Sequence, residues 1–63
     1  MKRSTLLKHL ESNDCELGRE GARHSMWKSR AGGALVAVPR HREIDNQTAR
    51  VICRQLGIPD PRG

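Results

Sequence analysis

Three histidines, His9, His24 and His41, are the side chains of this 63-residue chain whose ordinary proton affinity lies close to neutrality. An imidazole with a pKa of about 6.5 takes or gives a proton at physiological pH, which suits general acid–base work. Their spacing is not that of metal ligands, and the acids Glu16, Glu20 and Glu43 are scattered. A two-metal nuclease needs grouped carboxylates, so metal-free chemistry is expected, with no metal and no other cofactor. Cys15 and Cys53 form no Cys-x-x-Cys pair and lack zinc-site spacing. The sequence carries no secretory signal, so both read as reduced, space-filling thiols in a cytoplasm. Ser25 adjoins His24, yet in a strand alternation points the two side chains apart, which argues against a Ser–His nucleophile pair.

Lys and Arg number 12 against 7 Asp and Glu, for a net charge of +5 and a pI of about 10.3. So dense a positive field favours polyanions and speeds their capture, with nucleic acid first and an acidic protein next. A membrane is not expected: no segment joins a basic face to a broad apolar one, and no apolar run approaches the roughly 20 residues of a span. An RNA partner gives imidazole a specific task. One group must take the proton from a 2′-hydroxyl so that this oxygen attacks the adjacent phosphate, and a group must protonate the departing 5′-oxygen. Nearby cations offset the charge that builds on the phosphorane. The suppliers by position are Arg23, Lys28, Arg30 and Arg40, near the second hairpin or just past it.

The elements that position these residues follow from periodicity and punctuation. Residues 4–13 read as a helix capped by Ser4, with Leu6, Leu7 and Leu10 as a narrow apolar stripe and Asn13-Asp14 as its turn. His9 falls on the polar face, where a solvated role is expected. Residues 15–17 begin a short strand, and Gly18, Glu20 and Gly21 mark a bulge or turn. Residues 23–29 lack a helical stripe and fit a second strand. Gly32-Gly33 signals a hairpin turn, and 34–38 is a buried third strand closed by Pro39. Residues 40–45 read as a polar connection. Asp45 or Asn46 then caps a helix through Leu56, with Val51, Ile52 and Leu56 facing the core, Ala49 adding to them, and Arg50 and Arg54 on another, solvated face. Gly57 occupies a C-terminal cap position, Pro59 and Pro61 forbid continuation, and residues 60–63 fray. Neither helix buries its stripe alone. The expected class is α+β, in the order α-β-β-β-α: a single domain over 1–63, a three-stranded antiparallel sheet with both helices on one face. Only 35% of the residues are hydrophobic and Trp27 is the sole aromatic. A domain this short buries only about 60% of its unfolded surface, so packing is the expected role of Trp27, ahead of stacking on an unpaired base.

This order with a basic surface resembles the double-stranded-RNA-binding fold in outline. The motifs carry more. Gly21-Ala22-Arg23-His24-Ser25-Met26-Trp27 opens the second strand, Val38-Pro39-Arg40-His41 closes the third, and Ile52-Cys53-Arg54-Gln55-Leu56-Gly57-Ile58 ends the last helix. Together, in this order and spacing, they are similar to the HicA family of messenger-RNA-cleaving toxins, over nearly the whole chain. The resemblance implies a histidine endoribonuclease, an mRNA interferase, held in check by a HicB-type antitoxin that covers the active site. It places the catalytic histidine at His24, with Ala22-Arg23 where the family commonly has Gly-Ser. His41 matches the family's Pro-x-His signature, as a second acid–base group or a structural one. Two other readings use the same charge and fold: a non-catalytic double-stranded-RNA-binding-like module, and a basic interaction subunit for an acidic protein.

Overall fold

The computed structural model describes residues 1–61. Its elements are α1 (Arg3–Ser12), β1 (Cys15–Glu20), β2 (His24–Ser29), β3 (Val36–Pro39) and α2 (Asn46–Leu56). The strands pair antiparallel in the order β1-β2-β3, as expected for an α+β meander. One hydrophobic cluster joins Leu6 and Leu10 of α1, Cys15, Trp27, Val36 and Val38 of the sheet, and Ala49, Ile52, Cys53 and Leu56 of α2. Both helices therefore cover the same sheet face, and the other face is open.

Alternation along β2 decides which side chains reach solvent. Ser25 and Trp27 are buried, whereas His24 is exposed and Met26 and Lys28 are partly so. The pairing of β1 with β2 shifts between Leu17 and Arg19, one residue being accommodated at Gly18. This bulge changes the facing of everything after it. Arg19 comes opposite Met26 on the open face, and Glu20 comes opposite Ser25 on the helix side. A Cβ at position 18 would lie 2.5 Å from Leu35 Cδ2, so a side chain there would have to push the exposed Leu35 side chain aside.

The helices are held at one end as read and at the other differently. Asp45 caps α2, accepting from the Gln47 and Thr48 amides at 3.1 and 3.4 Å, and Gly57 closes it in the left-handed region at φ 75°. At α1 the cap position belongs to Lys2 with no side-chain hydrogen bond, and Ser4 lies inside the first turn. The reason is tertiary. Residues 1–3 pair with 42–44, the Ile44 amide donating to the Met1 carbonyl at 2.7 Å and the Arg3 amide to the Arg42 carbonyl at 2.9 Å.

Four further expectations change. Residues 40–45 are not merely polar, because Ile44 is buried in the core. Val51 is exposed, and Cys53 takes the place expected for it: 49, 52, 53 and 56 are the positions that share one helical face. Ala34 and Leu35 belong to the connection before β3, which runs through Gly32 and Gly33 at φ 110° and 119°, and Leu35 is exposed. His9 is not simply solvated, because its Nε2 bonds to the Pro59 carbonyl at 2.8 Å and ties α1 to the segment after α2. Of the residues expected to fray, Arg62 and Gly63 lie outside the described residues. No helix among the described residues is long and apolar enough to cross a membrane.

Cys15 and Cys53 are both free and buried. Burial raises the Cys53 thiol to about 11, with smaller contributions from the Asp60 carboxylate and from Cys15. Burial, then Asp14, also raises Cys15. The thiolate is the reactive form, so both thiols should resist alkylation at neutral pH except as fast as the chain unfolds. The linkage has a definite sign. A proton held more tightly in the folded state stabilises the fold below the ordinary thiol value of 9.0, and that contribution is lost as pH rises toward 11. Urea midpoints should fall across that window in the parent and less in Cys53→Ala. An equal fall in both removes the assignment to Cys53.

Candidate active site

The β1–β2 connection is three residues, Gly21 to Arg23, and it delivers His24 to the first position of β2. The Gly21 amide donates to the His24 carbonyl at 2.8 Å and closes the turn. A Cβ at position 21 would stand 2.9 Å from that carbonyl oxygen, so only glycine allows so close an approach without moving the His24 backbone. His24 pairs with Pro39 of β3. Its ring is exposed on the open face and makes no hydrogen bond among the described residues.

A polar network behind this rung fixes three strands and a helix at one place. Arg3 of α1 donates through Nε to the Pro39 carbonyl at 2.8 Å and through a terminal guanidinium nitrogen to Ser25 Oγ at 2.9 Å. Ser25 Oγ donates in turn to Glu20 Oε1 at 2.9 Å. Arg40 meets the same Glu20 oxygen and also donates to the Gly21 carbonyl at 2.7 Å. Ser25, beside His24 in the chain, is 2% exposed and faces away from it, so it supports the rung from within. Each hydrogen bond to a charged group is worth about 1.5–3 kcal/mol when well formed, so this network contributes appreciably to holding the turn.

The expected phosphate ligands are distributed unevenly. Arg23 is exposed in the turn with no ion pair among the described residues. Lys28 and Arg30 both approach Glu16, at 3.8 and 3.6 Å, so one carboxylate is shared by two cations. Such exposed pairs are worth about 0–1 kcal/mol and exchange readily for a phosphate. Arg40 is the most committed, through Glu20 and the Gly21 carbonyl; in this arrangement it holds the His24 turn. His41 is exposed in the connection after β3, two residues beyond the partner of His24, and makes no hydrogen bond among the described residues.

Three residues near the site escaped the sequence reading. Arg3 and Glu20 act only through contacts distant in sequence, for which no local signal exists. Arg19 reaches the open face only because of the bulge at Gly18. The open face and its edges thus carry Arg19, Arg23, Lys28 and Arg30 against the single carboxylate of Glu16, a positive field around an exposed imidazole. Among the described residues no group of three or more His, Cys, Asp or Glu is placed to hold a metal ion. Trp27 lies beneath the sheet at 5% exposure, with the core rather than with the open face.

The family model of the HicA toxin of bacterial toxin-antitoxin systems matches residues 3–58. That span contains all five secondary-structure elements, the turn bearing His24 and the network behind it. No curated protein and no solved structure matches the chain.

Proposed function

The chain belongs to the HicA toxin family and is the toxin of a toxin–antitoxin system, and on that premise we propose that residues 1–63 act in the cytoplasm as one metal-independent endoribonuclease domain cleaving messenger RNA through His24. The single observation that carries this reading is the placement of His24. It is an exposed imidazole on the open face of a sheet, held by a closed glycine turn, preceded by Arg23 and sharing its face with Arg19 and Lys28.

The chemistry follows from that placement. RNA lies along the open face, its phosphates drawn to Arg19, Arg23, Lys28 and Arg30. His24 takes the proton of a 2′-hydroxyl; the oxygen attacks the adjacent phosphorus, the bond to the 5′-oxygen breaks, and a protonated group gives its proton to the leaving oxygen. His41, exposed and two residues beyond Pro39, is the candidate for that second role. Arg23 offsets the charge on the phosphorane from the position just before the histidine. The partner antitoxin is of the HicB type, and it inhibits by covering the open face. A bound partner also stabilises a small domain by mass action.

The test is incubation of the pure protein with a messenger RNA in excess EDTA. Cleavage products ending in a cyclic phosphate are expected, unchanged in amount by the chelator. Cleavage that stops with EDTA and returns with magnesium overturns the metal-free mechanism. One observation favours a second reading, a non-catalytic RNA-binding module: no side chain among the described residues orients the His24 ring by a hydrogen bond. A gel shift without any cleavage, with or without metal, establishes that reading instead.

A further inference from the structure

A cleft of about 710 Å³ opens between the first turn of α1 and the connection after β3, lined by Lys2, Arg3, Ser4, Arg40, Arg42 and Glu43. Four of the six are cations. Its one carboxylate, Glu43, lies 3.8 Å from the Met1 ammonium, and Arg40 is met by Glu20. Lys2, Arg3 and Arg42 make no ion pair among the described residues, so the cleft keeps their charge uncompensated. The first-turn amides of Ser4 and Thr5 have no protein acceptor among the described residues, since α1 starts without a side-chain cap. Free amides at a helix start add to the attraction for an anion.

The position of the cleft relative to His24 gives it meaning. Arg3 holds the carbonyl of Pro39, the residue paired with His24, and Arg40 holds the carbonyl of Gly21 in the His24 turn. The cleft therefore adjoins the rung that carries the imidazole, at the end of β2 remote from Lys28. The lining contains no apolar side chain. A protein partner would need buried apolar or aromatic anchors; a phosphodiester needs only cations and amide donors.

We propose that this cleft binds a backbone phosphate of the RNA strand a few nucleotides from the bond at His24, with Lys2 and Arg42 as its direct ligands. The proposal rests on the ribonuclease reading and adds a second point of grip, which sets the register of the strand against the imidazole. Two anchored phosphates on either side of the reacting one convert loose capture into alignment.

The test is a titration of the full chain with a fluorescein-labelled 2′-O-methyl RNA dodecamer, which cannot be cut, read by anisotropy between 50 and 200 mM salt. The Lys2→Gln/Arg42→Gln pair should weaken binding roughly ten-fold or more. It should also make the slope of log affinity against log salt shallower by about 0.7, the value for one lost phosphate contact on a single strand. The Arg50→Gln/Arg54→Gln pair removes equal charge from the exposed face of α2 and should change affinity by less than two-fold. Equal weakening by both pairs overturns the cleft while leaving RNA binding intact. Absence of binding by the parent overturns the RNA reading and the cleft together. Unchanged RNA affinity in the cleft pair also overturns the proposal, and loss of polyglutamate binding by that pair would mark the cleft as a dock for an acidic protein. Matching far-ultraviolet circular dichroism of all variants keeps folding out of the comparison.

Discussion

Replacing His24 with alanine is expected to slow RNA cleavage by about 10²–10⁴-fold, the contribution of one general acid–base group, and to abolish growth arrest in cells. The fold should be untouched. The ring is exposed and makes no hydrogen bond among the described residues, and substitutions at such surface positions usually stay within about 0.5 kcal/mol. The backbone groups that close the turn, the Gly21 amide and the His24 carbonyl, are both present in the variant. Antitoxin binding should persist, because the proposed covering surface is the whole open face rather than one ring. The measurements are cleavage rate on a defined messenger, the circular dichroism spectrum and the melting temperature. Cleavage at the parental rate with an unchanged spectrum would remove His24 from the mechanism. Comparison with His41→Ala then assigns the second proton: a comparable loss places His41 at the leaving oxygen, and an undiminished rate leaves that role to another group.

The legible part of this molecule was what lies within a few residues of its signal. The C-terminal helix was readable because Asp45 accepts from two first-turn amides and Gly57 takes a conformation other residues resist. The strand order followed from the glycine pair and from an apolar run closed by Pro39. Face assignment in β2 followed from period-two alternation, which placed Trp27 inside and His24 outside. What failed depended on distant partners. Ser4 has the chemistry of a cap, yet the pairing of residues 1–3 with 42–44 starts the helix one residue earlier. Arg3 looked like one more surface cation, and only the fold brings it to Pro39 and Ser25. The bulge at Gly18 was anticipated as an irregularity, but its consequence was not: the reversal of facing that sends Arg19 out and Glu20 inward requires the register with β2. In the candidate site, the histidine and its turn were readable from a contiguous motif, whereas the supporting network, assembled from four elements, was not.

Trp27→Ala is expected to remove a large fraction of the stability of the isolated chain. Truncating a buried tryptophan costs about 3–5 kcal/mol through lost transfer energy and the cavity left behind. Trp27 is the chain's only aromatic, sits 5% exposed on the central strand, and is flanked across the sheet by Leu17 and Val36. No neighbouring large ring exists to collapse into its place. A partial offset exists, since the indole Nε1 is buried with no hydrogen-bond partner among the described residues, and removing an orphaned donor returns about 1–3 kcal/mol. The net loss, about 2 kcal/mol at the middle of these ranges, falls on a domain whose whole stability, at about 0.05–0.15 kcal/mol per residue, is only roughly 3–9 kcal/mol. Trp27→Phe separates the two effects, because it keeps most of the filling volume while deleting the orphaned N–H. Its urea midpoint should lie close to the parent's, and that of Trp27→Ala far below. Circular dichroism must report the transition, because Trp27 is also the only fluorophore of its kind. An antitoxin that binds only the folded toxin adds about 2.7 kcal/mol at one hundred times its dissociation constant, enough to offset a loss of that size for Trp27→Ala in the complex. An unchanged midpoint for the free alanine variant would mean that the helices, and not this ring, hold the sheet that presents His24.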